Sequence, residues 1–473
     1  MLKLLQYYKM FQQHIYPHLP VFLQNVAVSA YGLMWNRRRF GGIFNKTYNE
    51  FVEREVLSPG QWQAYQTQQL RNLLLHSYNS VPYYTSLLQR AGFTPGKLKR
   101  FETDDVPQIP ALEKDTLRQL GKSELLSFKR EPGGSFYSSS GSTGTPTSIL
   151  YSYQMHQRLA ALYEARIRKW AGVSRFDSRG MIGGRRVLPD GMARPPYFRY
   201  NIVEKQVYFS AYHISPATVK NYLYGMQKYK IDYMVGYAMS NYILARFIKE
   251  AGLEAPAMKA VLTSSEKLTP HMRELISEVY QCKTYDGWSG VEWCGLISEN
   301  EFGQLLLSPD SAYVEILKPD GTPAKPGEEG ELVCTGFLNY DQPLIRYRIG
   351  DVVRLAADQT TRCGRSFPVI EEIIGRTEDV VVGKDGREMV RFHGIFVNLE
   401  NVVKGQIVQE DLDRFVVNVQ TNGLTEEEKS LIAKRMQTQL GSISLSINEM
   451  SNIPVGNNGK FKAVISKVHR KTA

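Results

Sequence analysis

Apolar and polar positions along this chain switch repeatedly between helical and strand spacing, the alternation expected of an α/β protein. Residues 61–92 carry Leu70, Leu73 and Leu74 at helical intervals and lead through His76-Ser77 into Val81-Pro82-Tyr83-Tyr84, which predicts a largely helical stretch. From Asn221 to Leu253 the pattern predicts helix, strand and helix, with the strand around Ile231-Asp232-Tyr233-Met234-Val235-Gly236. Ala260-Val261-Leu262-Thr263 reads as a short buried strand ending in the polar turn Ser264-Ser265-Glu266. Residues 303–335 predict strands broken by two turn signals, Pro319-Asp320-Gly321 and Pro326-Gly327-Glu328-Glu329-Gly330. Val380-Val381-Val382 followed by Gly383-Lys384-Asp385-Gly386 predicts a hairpin. Thr425-Glu426-Glu427-Glu428 is a helix start, and the helix runs to Leu440.

A chain of 473 residues is too long for one core. A change of character after Ile373-Ile374-Gly375-Arg376 puts a boundary near residue 375. The expected organisation is a leader over 1–59, a large domain over 60–374 and a small α/β domain over 375–473, with no internal repeat. Hydrophobic content of 42% and charged content of 22% belong to the ordinary globular class.

Charge changes the picture at the N-terminus. The first acidic residue is Glu50, so Lys3, Lys9, Arg37, Arg38, Arg39 and Lys46 give the first 49 residues six of the eleven net positive charges. Leu4, Tyr8, Phe11 and Ile15 fall at helical spacing, making a basic amphipathic helix. Val21 to Trp35 is apolar but short and is interrupted by Gln24-Asn25, which argues against a membrane span, and its late start argues against a signal peptide. Two readings stay open: a leader packed on its own domain, favoured because amphipathic helices usually bury their apolar face, and a peripheral foot on an anionic membrane. No recognition motif supports nucleic acid as the partner of this basic chain. The four cysteines, Cys282, Cys294, Cys334 and Cys363, have no metal spacing and read as reduced thiols of a cytoplasmic protein.

Candidate chemistry starts at Ser138-Ser139-Ser140-Gly141-Ser142-Thr143-Gly144-Thr145-Pro146-Thr147-Ser148. Backbone N–H groups in a run without bulky side chains approach an anion closely, and the hydroxyls add donors, as a polyphosphate requires. A flexible polar linker has the same composition. No Gly-Lys-Ser/Thr follows, so this is not a Walker loop. Phe136-Tyr137 before the run and Ile149-Leu150-Tyr151 after it are apolar elements expected to hold it from both sides. Further on, Trp288-Ser289-Gly290-Val291-Glu292 places an aromatic face four residues before a carboxylate, a pair able to stack on a purine and to hold Mg²⁺ or simply a core Trp and a surface Glu. Tyr347-Arg348-Ile349-Gly350-Asp351 offers a carboxylate for ribose hydroxyls or a turn Asp. Gly375-Arg376-Thr377-Glu378-Asp379 is a charged hinge or a solvated turn, and Asn457-Asn458-Gly459-Lys460 presents a lysine on a tight turn.

The order of these segments resembles the adenylate-forming superfamily of acyl-CoA synthetases, and within it the phenylacetate–CoA ligase branch, especially members associated with capsular-polysaccharide biosynthesis. Asn79-Ser80-Val81-Pro82-Tyr83-Tyr84, Ile109-Pro110-Ala111-Leu112-Glu113-Lys114, Thr263-Ser264-Ser265-Glu266-Lys267-Leu268 and Cys363-Gly364-Arg365 add to the resemblance, which covers about residues 60–465. It implies a large adenylate-forming domain of layered sheets and helices and a small mobile C-terminal α/β domain. It also implies that Ser139, Ser140, Gly141, Ser142, Thr143, Gly144 and Thr145 wrap the ATP phosphates. Ser264, Ser265 and Glu266 would lie beside the adenine, with Trp288 and Ser289 against its ring. Glu292 would hold Mg²⁺, Asp351 the ribose, Arg376 the ribose and phosphate, and Lys460 would bridge carboxylate and α-phosphate as the catalytic lysine, with Glu378 at the hinge. The implied reaction is ATP-dependent activation of a carboxylic or amino acid, with transfer to CoA or to an amine or hydroxyl acceptor on a sugar or carrier. The acid pocket is expected at Gly236, Tyr237 and Thr263, with Tyr212-His213 and Arg185-Arg186 as weaker candidates, and Lys384, Arg387 and Arg391 would offer charge to CoA. Against the family pattern, Trp288-Ser289 stands for Tyr-Gly, Ile349 for Thr, Glu378 for Asp and Asn458 for Ser or Thr. A non-catalytic scaffold at a membrane-bound polysaccharide assembly is the rival reading.

Overall fold

The two strands expected at 231–236 and 260–263 lie side by side in a six-stranded sheet. The computed structural model describes residues 15–138, 147–183, 188, 194–376, 381–382, 388–389, 393–396, 399–454 and 461–468. The sheet order is Phe198–Asn201, Gln206–Ser210, Arg179–Gly183, Tyr233–Tyr237, Ala260–Ser264 and Lys283–Tyr285. Its neighbours run parallel except at the edge strand Phe198–Asn201, which is antiparallel to Gln206–Ser210. Parallel strands are buried on both faces, which is why these segments read as near-continuous apolar runs. Helices Val219–Lys228, Ala238–Glu250 and Pro270–Tyr280 pack here, with Val207, Met226, Met234, Ile248, Val261 and Ile276 inside.

The strands expected across 303–335 belong to a second, antiparallel sheet of seven. Its order is Ala312–Leu317, Glu329–Gly336, Tyr347–Leu355, Val369–Arg376, Leu305–Leu307, Ile297–Glu299 and Gly287–Trp288. Residues 61–92 are helical as expected, as Pro59–Ser80 and Pro82–Arg90, and Leu70, Leu73, Leu74 and Tyr84 join the core beneath that sheet. The family-like segments act here as scaffolding. The Tyr84 hydroxyl accepts from the Ile345 N–H at 3.0 Å, and Leu112 is bridged to Tyr347 through Leu112 N–H to the Arg346 carbonyl at 2.9 Å. Arg365 ion-pairs with Glu55 at 3.0 Å and Glu301 at 2.9 Å. Glu55 also pairs with the fully buried Arg166, which reaches Asp310 at 2.9 Å, so each buried charge in this knot has an opposite partner.

The C-terminal region has its own core around a four-stranded sheet, ordered Ser444–Met450, Arg414–Gln420, Lys404–Gln409 and Val464–Ser466. Helix Glu426–Leu440 starts where expected, with Thr425 and Glu428 closing a capping box. The hairpin expected after Val380 pairs Val381 with Met389 and Val382 with Glu388.

The apolar segment after residue 20 is a helix, Val21–Phe40, and it packs on the large domain. Its contact face mixes polar groups with Val28, Trp35 and Phe40. Asn25 accepts from the Tyr200 N–H at 2.9 Å, Ser29 from the Ile202 N–H at 3.2 Å, and Gln24 from the buried Arg199 guanidinium. Gly32 lies so close to Asn201 that a Cβ there would meet its side chain at 2.1 Å. Arg39 pairs with the buried Glu204 at 2.8 Å. The amphipathic helix expected at Leu4 to Ile15 lies outside the described residues except for Ile15, and Val21–Phe40 packs through these polar bonds together with Val28, Trp35 and Phe40. Phe22, Val26 and Met34 remain exposed, as does Ile15, the last of the four leader positions and the one inside the described residues. Among the described residues no helix is long and apolar enough to cross a membrane.

Candidate functional site

The apolar pairs flanking the Ser/Thr/Gly run form an antiparallel hairpin, with Phe136 opposite Leu150 and Tyr137 opposite Ile149. Residues 139–146, the tip, lie outside the described residues. The hairpin is held from below. Tyr137, Tyr151 and His156 meet with ring centroids 4.7 to 5.4 Å apart, and Trp35 of the N-terminal helix packs its edge on His156 at 5.1 Å. Arg38 donates to His156 Nδ1 and to the Tyr151 carbonyl, both at 3.0 Å. Burial, with the Arg38 charge beside it, pushes the His156 imidazole down to about 4, so the ring is neutral at physiological pH and accepts from the guanidinium.

The hairpin's second strand begins against Glu292. Thr147 Oγ1 donates to Glu292 Oε1 at 3.1 Å, and the Tyr347 hydroxyl lies 3.5 Å from the same oxygen. The Tyr151 hydroxyl donates to the neighbouring Val291 carbonyl. Glu292 is buried, and Gly290 leaves room for it, since a Cβ there would stand 2.4 Å from Glu292 Oε2. Four residues earlier, Trp288 sits at the edge of the seven-stranded sheet, its ring across Gly295, where a Cβ would come within 3.2 Å. Ser289 Oγ donates to the Gly290 carbonyl at 3.3 Å. Ile349, in place of the family's Thr, is buried facing Gly290.

The parallel strands end beside this group, the usual place for a ligand in an open α/β sheet. Gly236 has φ 145° and lies against its neighbour strand, where a Cβ would be 1.7 Å from the Ile182 carbonyl, so no other residue fits. Tyr237 precedes helix Ala238–Glu250. Thr263 is buried, its hydroxyl donating to the Tyr285 carbonyl at 3.0 Å. Ser264 is exposed and Ser265 takes the left-handed φ of 72°, so the turn at the strand's end points outward. Asp351 is buried on strand Tyr347–Leu355 and stands opposite Arg376 in the ladder. At His213, the ring stacks on Tyr197 at 4.9 Å and bonds the Ser210 hydroxyl at 2.8 Å.

Glu266 ties the two regions of the chain together. Its Oε2 accepts from the Met239 N–H and its Oε1 from the Phe461 N–H, each at 3.0 Å. Phe461 directly follows Lys460, which lies with Glu378, Arg185-Arg186, Lys384, Arg387 and Arg391 outside the described residues. Lys404 stacks over the Phe461 ring at 5.7 Å, and burial holds its ammonium below the usual lysine range against the pull of Glu266. Arg246 donates to the carbonyls of Glu400, at 2.9 Å, and Val402, adding to the seat.

Two features of this site were not read from the sequence. One is the role of Thr147, which stands in the hydroxyl-rich run but beyond Thr145, the last residue expected at the phosphates. The other is Asp286, whose carboxyl desolvation pushes up to about 7 beside the Thr263 hydroxyl and the Gly287 N–H. Its position one residue before Gly287-Trp288 was the available signal.

Residues 381–467 match the CapK C-terminal domain. Phenylacetate-coenzyme A ligase of Thermus thermophilus is 27% identical over 349 residues, covering 70% of this chain and 74% of that protein. The crystal structure of 2-hydroxyisobutyryl-CoA ligase in the postadenylation state superposes with a TM-score of 0.69 at 20% identity, over 89% of this chain and 92% of that one. These likenesses support an AMP-forming ligase of the adenylate-forming kind, similar to the phenylacetate–CoA ligases in sequence and to a CoA ligase in fold. Within that class it is similar over nearly its whole length to Protein CapK of Staphylococcus aureus, 24% identical across 96% of this chain and 99% of that protein.

Proposed function

We propose that this chain activates a carboxylic or amino acid with ATP and then passes the acyl group to CoA or to an amine or hydroxyl acceptor of surface-polysaccharide biosynthesis. A carboxylate oxygen attacks the α-phosphorus, its bond to the pyrophosphate oxygen breaks, and pyrophosphate leaves. The second nucleophile then takes the acyl carbon, and AMP departs with the bonding electrons. The protein does little covalent work in this scheme, so positioning and charge neutralisation carry the rate.

The observation that carries the reading is the convergence at Glu292 and Glu266. Glu292 receives the foot of the hydroxyl-rich run through Thr147, and Glu266 anchors the residue after Lys460 to the turn beyond Ser264-Ser265. Ser139 to Thr145 wrap the phosphates, Trp288 stacks on the adenine, Asp351 holds the ribose, and Arg376 supports ribose and phosphate. Lys460 approaches the carboxylate and α-phosphate. The C-terminal domain turns about Glu378 to withdraw that lysine before transfer. Gly236, Tyr237 and Thr263 line the acid pocket. The Thr147 hydroxyl and the Glu292 carboxylate, 3.1 Å apart, are hard oxygen donors that fit magnesium, which favours one or two carboxylates and otherwise takes phosphate oxygens and water. When bound, the ion neutralises phosphate charge. The use of ATP supports a cytoplasmic reaction.

The test is pyrophosphate release over a panel of carboxylic and amino acids, with ATP binding measured in parallel. Turnover with one acid, abolished in Lys460→Ala while ATP still binds, supports the reading. No turnover with any acid together with no ATP binding overturns it and favours the scaffold.

A further inference from the structure

The helix Val21–Phe40 has two unlike sides. The side that packs is held through Gln24, Asn25, Ser29, Arg38 and Arg39, with Val28 and Trp35 packed among them. The other side is apolar and bare: Phe22 is 66% exposed, Val26 60%, Leu33 45% and Met34 57%. Positions 22, 26, 30, 33 and 37 follow helical spacing, so these side chains form one stripe that ends at the exposed Arg37. The stripe runs on past the helix. Ile202, whose N–H bonds to Ser29, is 67% exposed, and Lys205 beside it is also exposed and donates to the Phe176 carbonyl at 3.2 Å, where Phe176 is 68% exposed. A soluble surface seldom leaves so continuous an apolar strip uncovered.

Charge decides what covers it. Arg37 at the end of the stripe and Lys205 beside Ile202 are exposed cations, and no acidic residue occurs in the sequence before Glu50. A second copy of the chain would bring two such basic strips face to face, since a two-fold contact uses the same patch twice. An anionic bilayer answers both properties, with acyl chains for the apolar stripe and headgroups for the flanking cations. We propose that the exposed side of Val21–Phe40, with Ile202, Phe176, Arg37 and Lys205, is an interfacial membrane-docking surface selective for anionic lipid. The helix lies flat on its domain through the side that packs, so it inserts side chains without spanning. This goes beyond the ligase reading and does not depend on it.

Sedimentation of the full chain with vesicles tests it, using phosphatidylcholine alone and phosphatidylcholine mixed with phosphatidylglycerol. The parent is expected to bind the anionic vesicles at least about tenfold more tightly than the neutral ones, and to release as salt rises. A triple variant, Phe22→Ser, Val26→Ser and Met34→Ser, is expected to lose about tenfold or more in vesicle binding with an unchanged melting temperature and unchanged pyrophosphate release. Arg37→Glu, a single surface change, is expected to weaken binding to anionic vesicles alone, and it keeps the test decisive should the triple variant melt early. Failure of the parent to sediment with anionic vesicles at low salt overturns the proposal, as does undiminished binding by both variants. A dimer in sedimentation velocity that the triple variant dissolves, with no vesicle binding, also overturns it and identifies the second copy as the occupant.

Discussion

Glu266→Ala is the most discriminating perturbation for the proposed chemistry. The parent carboxylate accepts two backbone N–H bonds of 3.0 Å, from Met239 and from Phe461. A hydrogen bond to a charged group contributes about 1.5–3 kcal/mol. The Phe461 bond stands next to Lys460, so its loss lowers the population of the seated lysine by roughly 10- to 100-fold. The Met239 bond caps helix Ala238–Glu250, which has no side-chain cap of its own, and its loss costs about 1 kcal/mol of stability. The assay has three arms: acid-dependent pyrophosphate release, ATP affinity by titration, and transfer from a pre-formed acyl-adenylate. The expected result is a fall in kcat for pyrophosphate release of about 10- to 100-fold, with ATP affinity within about threefold and transfer retained. A kcat within about twofold of the parent would refute the seating role, and an equal loss in ATP affinity would show that Glu266 contacts the nucleotide instead.

Three further outcomes are expected. Glu292→Gln keeps the Thr147 contact but removes the charge, so pyrophosphate release should fall by about 100-fold and respond to a higher magnesium concentration; an unchanged magnesium dependence removes Glu292 as the metal carboxylate. His156 is held at about 4, below the 6.5 of an unfolded histidine, so the unfolded chain takes up a proton that the native ring refuses. Its contribution is therefore full above pH 6.5 and is lost as pH falls toward 4, with a ceiling of about 3 kcal/mol; denaturant midpoints measured across that window should show a slope that His156→Gln flattens. Gly236→Ala drives a Cβ to 1.7 Å from the Ile182 carbonyl at φ 145° and should cost at least about 3 kcal/mol by thermal melting; a drop under about 1 kcal/mol would mean that the two strands separate freely.

Local patterns carried much of the fold. Two of the parallel strands, at 231–236 and 260–263, announced themselves as apolar runs, the capping box at Thr425 as a helix start, and Phe136-Tyr137 and Ile149-Leu150-Tyr151 as walls around the hydroxyl-rich run. The N-terminal helix shows where such reading stops. The leader is expected to pack through the apolar face of an amphipathic helix at Leu4 to Ile15, whereas helix Val21–Phe40 is held through Gln24, Asn25 and Arg39 by the Arg199 side chain, the Tyr200 N–H and the Glu204 carboxylate. Nothing within residues 21–40 could reveal those partners, because they come from a strand about 170 residues away.

The sequence by itself determined which chemical groups this protein owns and in what order: a hydroxyl-rich run with two glycines, an aromatic-to-carboxylate segment, an Asp after Tyr-Arg-Ile-Gly, and a late lysine. Those are properties of residue type and spacing, which need no fold to be read. Tertiary structure decided which of them meet. Thr147 reaches Glu292 across 145 residues, and Phe461 reaches Glu266 across 195. Such contacts are set by sheet order and by the burial of whole faces, quantities that belong to the packed chain as a whole and not to any window of it.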